Sequence, residues 1–179
     1  MFKWLILLPL NFTFMLICYL LNPLVILFIK SDGTLPSCLK WFGTHDAPHL
    51  FFDGTGEIQA DWLDNHWLFL KKFEKYPKLH LYLCRLLWLY RNTGYGFAYF
   101  VCGVDYNPSE TQFLTYSDER QSIQIGINKN SFKFTVTKIY PFCSSLSLDI
   151  YIGWKLNQSG EKQRAMYAMN INPFKGISL

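Results

Sequence analysis

The pattern of apolar and polar positions changes twice along the chain. From Trp4 to Ile29 there are 26 residues without a charged side chain, flanked by Lys3 and Lys30. At about 1.5 Å per residue this exceeds the roughly 20 residues that cross a bilayer core, so residues 1–30 are predicted to form an N-terminal transmembrane helix. Pro9 and Pro23 fall in its early turns and near its exit, where they are tolerated. A period of 3.6 follows. Trp62, Leu63, Trp67, Leu70 and Phe73 recur before Pro77, and Leu79, Leu83, Leu86, Leu87 and Tyr90 after it, which predicts two amphipathic helices parted at the proline. Beyond Asn107-Pro108 the period falls to 2. Phe132, Phe134 and Val136 alternate with Lys133, Thr135 and Thr137, and Leu146 to Leu156 alternate over their whole length, as half-buried strands do. Ser122–Ile127 and Arg164–Ile171 are predicted partners, with turns at 128–130 and 157–160. The fold class is therefore α+β: a membrane helix, amphipathic helices and a small antiparallel meander, with Leu79–Tyr90 able to cover its apolar face.

The apolar run is too long for a signal peptide and lacks a small-residue cleavage triplet after it. The bulky residues before Cys18 do not suit lipid attachment, so an uncleaved anchor is expected. Its basic flanks are nearly balanced and orient it only weakly. An odd number of cysteines, five in all, favours a reducing compartment, so the domain is placed in the cytoplasm with the N-terminus outside. Leu79–Val104 could be read as a second span, a buried core helix or an interfacial helix. A span would put Arg85 and Arg91 in hydrocarbon at about 2.5–3.5 kcal/mol each and would contain the breaker Asn92-Thr93-Gly94-Tyr95-Gly96. The interfacial reading is preferred, with Lys71, Lys72, Lys75, Lys78 and Arg85 facing anionic headgroups.

Charge sharpens these boundaries. Residues 31–66 carry six acids against Lys40, whereas residues 67–104 carry six bases against Glu74. The chain thus reads as an anchor (1–30) and one α+β domain (31–179), the latter comprising an acidic connector (31–66), a basic helical region (67–104) and strands (105–179). Half the residues are hydrophobic and 17% charged, which excludes intrinsic disorder. A net charge of +4 is too mild to suggest a nucleic-acid partner. With no C-x-x-C pair, neither a disulfide scaffold nor a zinc ribbon fits, and no cofactor is expected.

The candidate chemistry lies in the connector. His45, Asp46, His49, Asp53 and His66 offer nitrogen and oxygen donors for a metal, although Pro48 argues against one helix presenting His45 and His49 together. A surface loop with turn-capping acids accounts for the same residues. No positioned base marks a catalytic residue.

Several strings occur together in order: the apolar run ending Cys-Tyr-Leu-Leu-Asn-Pro, Leu35-Pro36, Trp41-Phe42-Gly43-Thr44-His45-Asp46, Arg85-x-x-Trp88-Leu89-x-Arg91-Asn92 with Tyr95-Gly96-Phe97, Gly153-Trp154-Lys155, and Arg164-Ala165-Met166 before Asn172-Pro173-Phe174. In these the chain resembles a family of small membrane-anchored proteins encoded by tailed bacteriophages. The resemblance implies a phage genome, a bacterial host and a product that is not glycosylated at Asn157; it assigns no activity. The expectation is a phage accessory protein that acts by binding at the host inner membrane, with lipid headgroups and a host membrane protein as partners. A holin-like lysis protein and a metal-dependent hydrolase using residues 45–66 are the alternatives.

Overall fold

The apolar run forms one long helix, α1 (Phe2–Val25), with both prolines inside it and a 3₁₀ turn over Ile26–Phe28 after it. The computed structural model describes residues 2–46 and 68–176. The chain divides into two compact units, Pro9–Val101 and a unit made of Met1–Leu8 with Cys102–Leu179. The architecture is α+β, as expected. In this division the first turns of α1 fall with the strands.

In the unit Pro9–Val101, a turn ends the helical path. The Asp32 carboxylate accepts from the Thr34 amide and hydroxyl, and Lys30 donates its N–H to the Thr34 carbonyl. The chain then lays Leu35, Leu39 and Phe42 against Phe14, Cys18 and Val25 of α1. The predicted helix over 61–73 is seen only from Leu68, as a 3₁₀ stretch to Phe73, and its earlier residues lie outside the described ones. The second helix, α2 (Pro77–Arg91), starts with Pro77 in its first turn, where a missing N–H costs nothing. Leu86 and Leu89 pack on Ile26, while Cys84 and Leu87 pack on Leu70.

Tyr82 donates its hydroxyl to the Pro23 carbonyl at 3.1 Å, and Tyr90, farther along α2, donates to the earlier Tyr19 carbonyl at 3.2 Å. The two helices therefore run antiparallel. The Thr93 hydroxyl donates to the carbonyls of Leu89 and Tyr90 at the end of α2, and Gly94 turns the chain with φ 71°. The short helix α3 (Tyr95–Phe100) follows, and its Phe97 stacks on Phe14 at 4.1 Å. The N–H groups that α3 leaves unpaired at its start find loop carbonyls: Gly96 donates to Gly43 at 2.8 Å and Phe97 to Trp41 at 3.0 Å. A Cβ on Gly96 would collide with the carbonyls of Lys40, Trp41 and Gly43. The unit is thus entered at Pro9 and left at Val101 at the same end.

The other unit is built on two sheets. Strands β1 (Val104–Tyr106) and β6 (Gln163–Ala165) form an antiparallel pair. Strands β2 (Gln112–Ser117), β3 (Gln121–Asn128), β4 (Ser131–Tyr140), β5 (Cys143–Trp154) and β7 (Tyr167–Gly176) form a five-stranded antiparallel sheet in that order. The predicted meander is present, extended by β2 and interrupted where β6 leaves to join β1. At the β2–β3 turn, the Asp118 carboxylate accepts from the amides of Arg120 and Gln121 and from the Tyr116 hydroxyl, which holds its pKa below the usual value. The core gathers where the two sheets meet: Cys102, Val104, Tyr106, Trp154, Leu156, Ala165 and Met166 are buried, and Trp154 donates its indole N–H to the Cys102 carbonyl at 3.0 Å.

Trp4 completes this core. It is 6% exposed, its ring stacks on Tyr167 at 5.3 Å, and its N–H donates to the Gly153 carbonyl at 3.2 Å. Helix Leu79–Tyr90, expected to cover the sheet, belongs instead to the other unit, where α1 and Leu70 take up its apolar side chains.

Gly153 has φ 117°, and a Cβ there would strike the Phe132 carbonyl; Gly160 has φ 114° but open surroundings. Gly160→Ala is therefore expected to cost about 1 kcal/mol through backbone strain alone. Gly153→Ala should cost ~3 kcal/mol or more, because the strand must also move off β4. Thermal unfolding of the two variants in detergent checks the difference.

Candidate functional site

Of the five predicted metal-binding residues, His45 and Asp46 are described; His49, Asp53 and His66 lie outside the described residues. The His45 ring is half-buried and stacks on Tyr99 with centroids 3.8 Å apart and planes 10° from parallel. Asp46 is exposed beside it in sequence. Among the described residues, no three His, Cys, Asp or Glu side chains cluster as metal ligands.

The predicted basic face sits at the start of α2. Lys72 lies in the 3₁₀ stretch, Lys75 in the turn and Lys78 in the first turn of α2, and all three are exposed; the Lys75 ammonium lies 5.1 Å from the Tyr76 ring centroid. The Lys71 side chain lies outside the described ones. Arg85, about two turns farther on, is half-buried rather than on the same exposed patch.

Helix α1 presents a second kind of surface. Its Cys18, Asn22 and Val25 are buried, whereas Leu10, Phe12, Leu16, Leu20 and Leu24 are exposed. Only 11% of its most apolar stretch is buried, unlike the core helix of a soluble protein, and its length suffices to cross a membrane.

The third surface is the five-stranded sheet, whose register separates polar from apolar residues. Leu114, Ile125, Phe134, Ile152 and Met169 form one row across all five strands; Tyr116, Ile123, Val136, Ile150 and Ile171 form the next. The opposite face carries Thr115, Gln124, Thr135, Tyr151 and Asn170 in one row and Ser117, Ser122, Thr137, Asp149 and Asn172 in another. On that polar face Asp149 accepts from Thr137 at 2.8 Å and pairs with Lys175 at 3.2 Å. The Lys133 amine also turns to that face. It donates to the Leu156 carbonyl at 3.3 Å near the rings of Phe113 and Tyr151, and burial lowers its pKa. On the apolar face, Leu114 is 69% exposed, and Tyr116, Ile127, Met169 and Ile171 are exposed as well.

Sequence reasoning placed the strands but missed this surface. The alternation of Ile123, Ile125 and Ile127 and of Phe132, Phe134 and Val136 was its visible signal. Adjacent Phe113 and Leu114 obscured the β2 contribution.

A family model described as a family of unknown function, DUF7338, matches residues 1–178. No curated protein and no solved structure matches the chain.

The exposed lysines at the start of α2 generate one expectation. Each base near an anionic surface contributes about 1 kcal/mol of attraction. Wild-type protein in mixed bilayers should enrich anionic lipid around itself, less so at high salt. Replacing Lys72, Lys75 and Lys78 with Gln should remove most of that enrichment without changing the melting temperature, as read by lipid analysis of native nanodiscs.

Proposed function

The chain belongs to DUF7338, a family of unknown function, and within it we propose a membrane-resident protein that acts by binding rather than by catalysis. The proposed setting is the inner membrane of a bacterial host, where a tailed phage uses the protein as an accessory factor. Anionic headgroups and a host membrane protein are its partners. The setting rests on the resemblance in the sequence, and residence in the membrane rests on α1, long, uncharged between Lys3 and Lys30 and exposed along most of its length.

The observation that carries the reading is Trp4. A cleaved signal sequence would take with it an indole that is buried against Tyr167 and Phe132 and bonded to Gly153. This supports a helix that stays. It also supports a different topology from the single-pass arrangement expected from sequence. One crossing would put the N-terminus and the strands on opposite sides, yet Trp4 and the strands share one compact unit. Antiparallel α1 and α2, with Pro9 and Val101 at the same end, allow the helical unit to enter the bilayer and return, provided that half-buried Arg85 stays turned into the unit and Arg91, the last residue of α2, lies at the headgroups. In this reading the N-terminus and the sheet both lie in the cytoplasm. The free thiols of Cys102 and Cys143 in the sheet unit accord with a reducing compartment. No observation among the described residues favours the lysis or hydrolase alternatives.

Reporters active only in the periplasm or only in the cytoplasm, fused in turn to each terminus of the full chain, test this. Cytoplasmic activity at both ends is expected. Opposite readings at the two ends would restore the single crossing, and two periplasmic readings would reverse the side.

A second test concerns the lock itself. Trp4→Ala should destabilise the sheet unit by about 3–5 kcal/mol, whereas Leu20→Ala, on the exposed side of α1, should leave it unchanged. Protease resistance of the strands in detergent distinguishes the two.

A further inference from the structure

An antiparallel sheet with one polar and one apolar face normally buries the apolar one. Here two complete apolar rows run across five strands, and several of their residues are exposed. Exposed apolar patches of more than a few hundred Å² mark interaction sites. One end of this face is hollow. A cleft of about 530 Å³ opens there, walled by Leu5, Ile125, Ile127, Phe132, Phe134 and Ile152 beneath Trp4. Its size falls in the range of small-ligand sites, which are mostly apolar with a few placed polar groups.

The wall of the cleft is apolar. Ser131 and Lys133 border it, but both alternate with Phe132 and Phe134 along β4 and so belong to the polar face, where the Lys133 amine donates to the Leu156 carbonyl.

We infer that the apolar face of the five-stranded sheet docks on membrane phospholipid, with an acyl chain in the cleft. Continuity identifies the occupant. Leu5 belongs both to the cleft wall and to the apolar helix α1, so lipid surrounding the start of α1 meets the cleft without a break. A second copy of the sheet would present its own flat rows to a hollow and leave it unfilled. The inference rests on the membrane residence proposed above and extends it from the helix to the strands.

Full-length protein is placed in phospholipid vesicles containing a phospholipid with a photoactivatable diazirine on its acyl chain, and labelled peptides are identified by mass spectrometry. Label is expected on α1, on residues 121–140 and on residues 167–176, whose Met169 and Ile171 are exposed on the same face. Ile127→Asp, at an exposed position on the cleft wall, should reduce label on residues 121–140 by at least about tenfold, because a carboxylate resists lipid contact. Label on α1 should persist. Should that variant lose protease resistance, Met169→Asp, exposed on the same face, should reduce label on its own strand in the same way. Label on α1 with none on the strands overturns the inference and leaves membrane residence standing. Label on neither overturns both. Strands that stay unlabelled while Ile171→Cys cross-links two copies assign the face to a dimer and also overturn it.

Discussion

The placement of one indole constrains everything else. Trp4 sits on the first turn of a helix that is uncharged beyond Lys3, yet it is packed against Phe132 and Tyr167 as a core residue would be, with both rings in turn edge-on to Trp154. Its N–H has an acceptor in the Gly153 carbonyl, which removes the cost of burying a polar donor. Gly153 is where the geometry is tightest: its positive φ and its closeness to the Phe132 carbonyl both exclude a side chain. The start of the apolar helix is therefore part of a folded unit, and that unit also contains everything after residue 101.

Given that attachment, the sheet cannot be a two-layer sandwich of the usual kind, because the described residues supply only the helix start to its apolar side within the unit. Its polar side is well made for water. Thr137, Asp149, Asn170 and Lys175 form a connected set of hydrogen bonds and one ion pair, and such half-exposed pairs contribute modestly to stability. The asymmetry is what a protein needs if water lies on one side of the sheet and something apolar on the other. Helix α1 shows the same division, with Cys18 and Val25 turned inward to Phe42 and the leucines turned outward.

Much of this was legible in the sequence. Helix α1, the break at Pro77, the strands β3, β4 and β5, and the fold class follow from periodicity, because each depends on neighbours within a dozen residues. The return of the helical unit to its starting end was not legible, since it depends on Tyr82 and Tyr90 reaching the carbonyls of Pro23 and Tyr19 more than fifty positions away. The two short strands β1 and β6 carry too few residues for a period. Nor could a hydropathy profile reveal that Trp4 is core: at the end of an apolar run a tryptophan reads as an interfacial anchor, and only its partners from β4, β5 and β7 distinguish the two. The candidate metal ligands illustrate the opposite difficulty. His45 was visible as a donor, but its stacking on Tyr99 was not, because residue types alone do not say which faces of a ring are occupied.

The bond from Trp4 to Gly153 spans 149 positions, which fixes an order of events during synthesis. At about 5–20 residues per second, roughly 10–30 s separate the emergence of Trp4 from that of Tyr167, the residue it stacks upon. For that interval the helix has no strands to join. The nascent chain must keep an uncharged 26-residue segment out of aggregates by other means, and early delivery to the bilayer is the one that leaves it in place for the sheet to close on later. The last strand made is then the one that finishes the first helix.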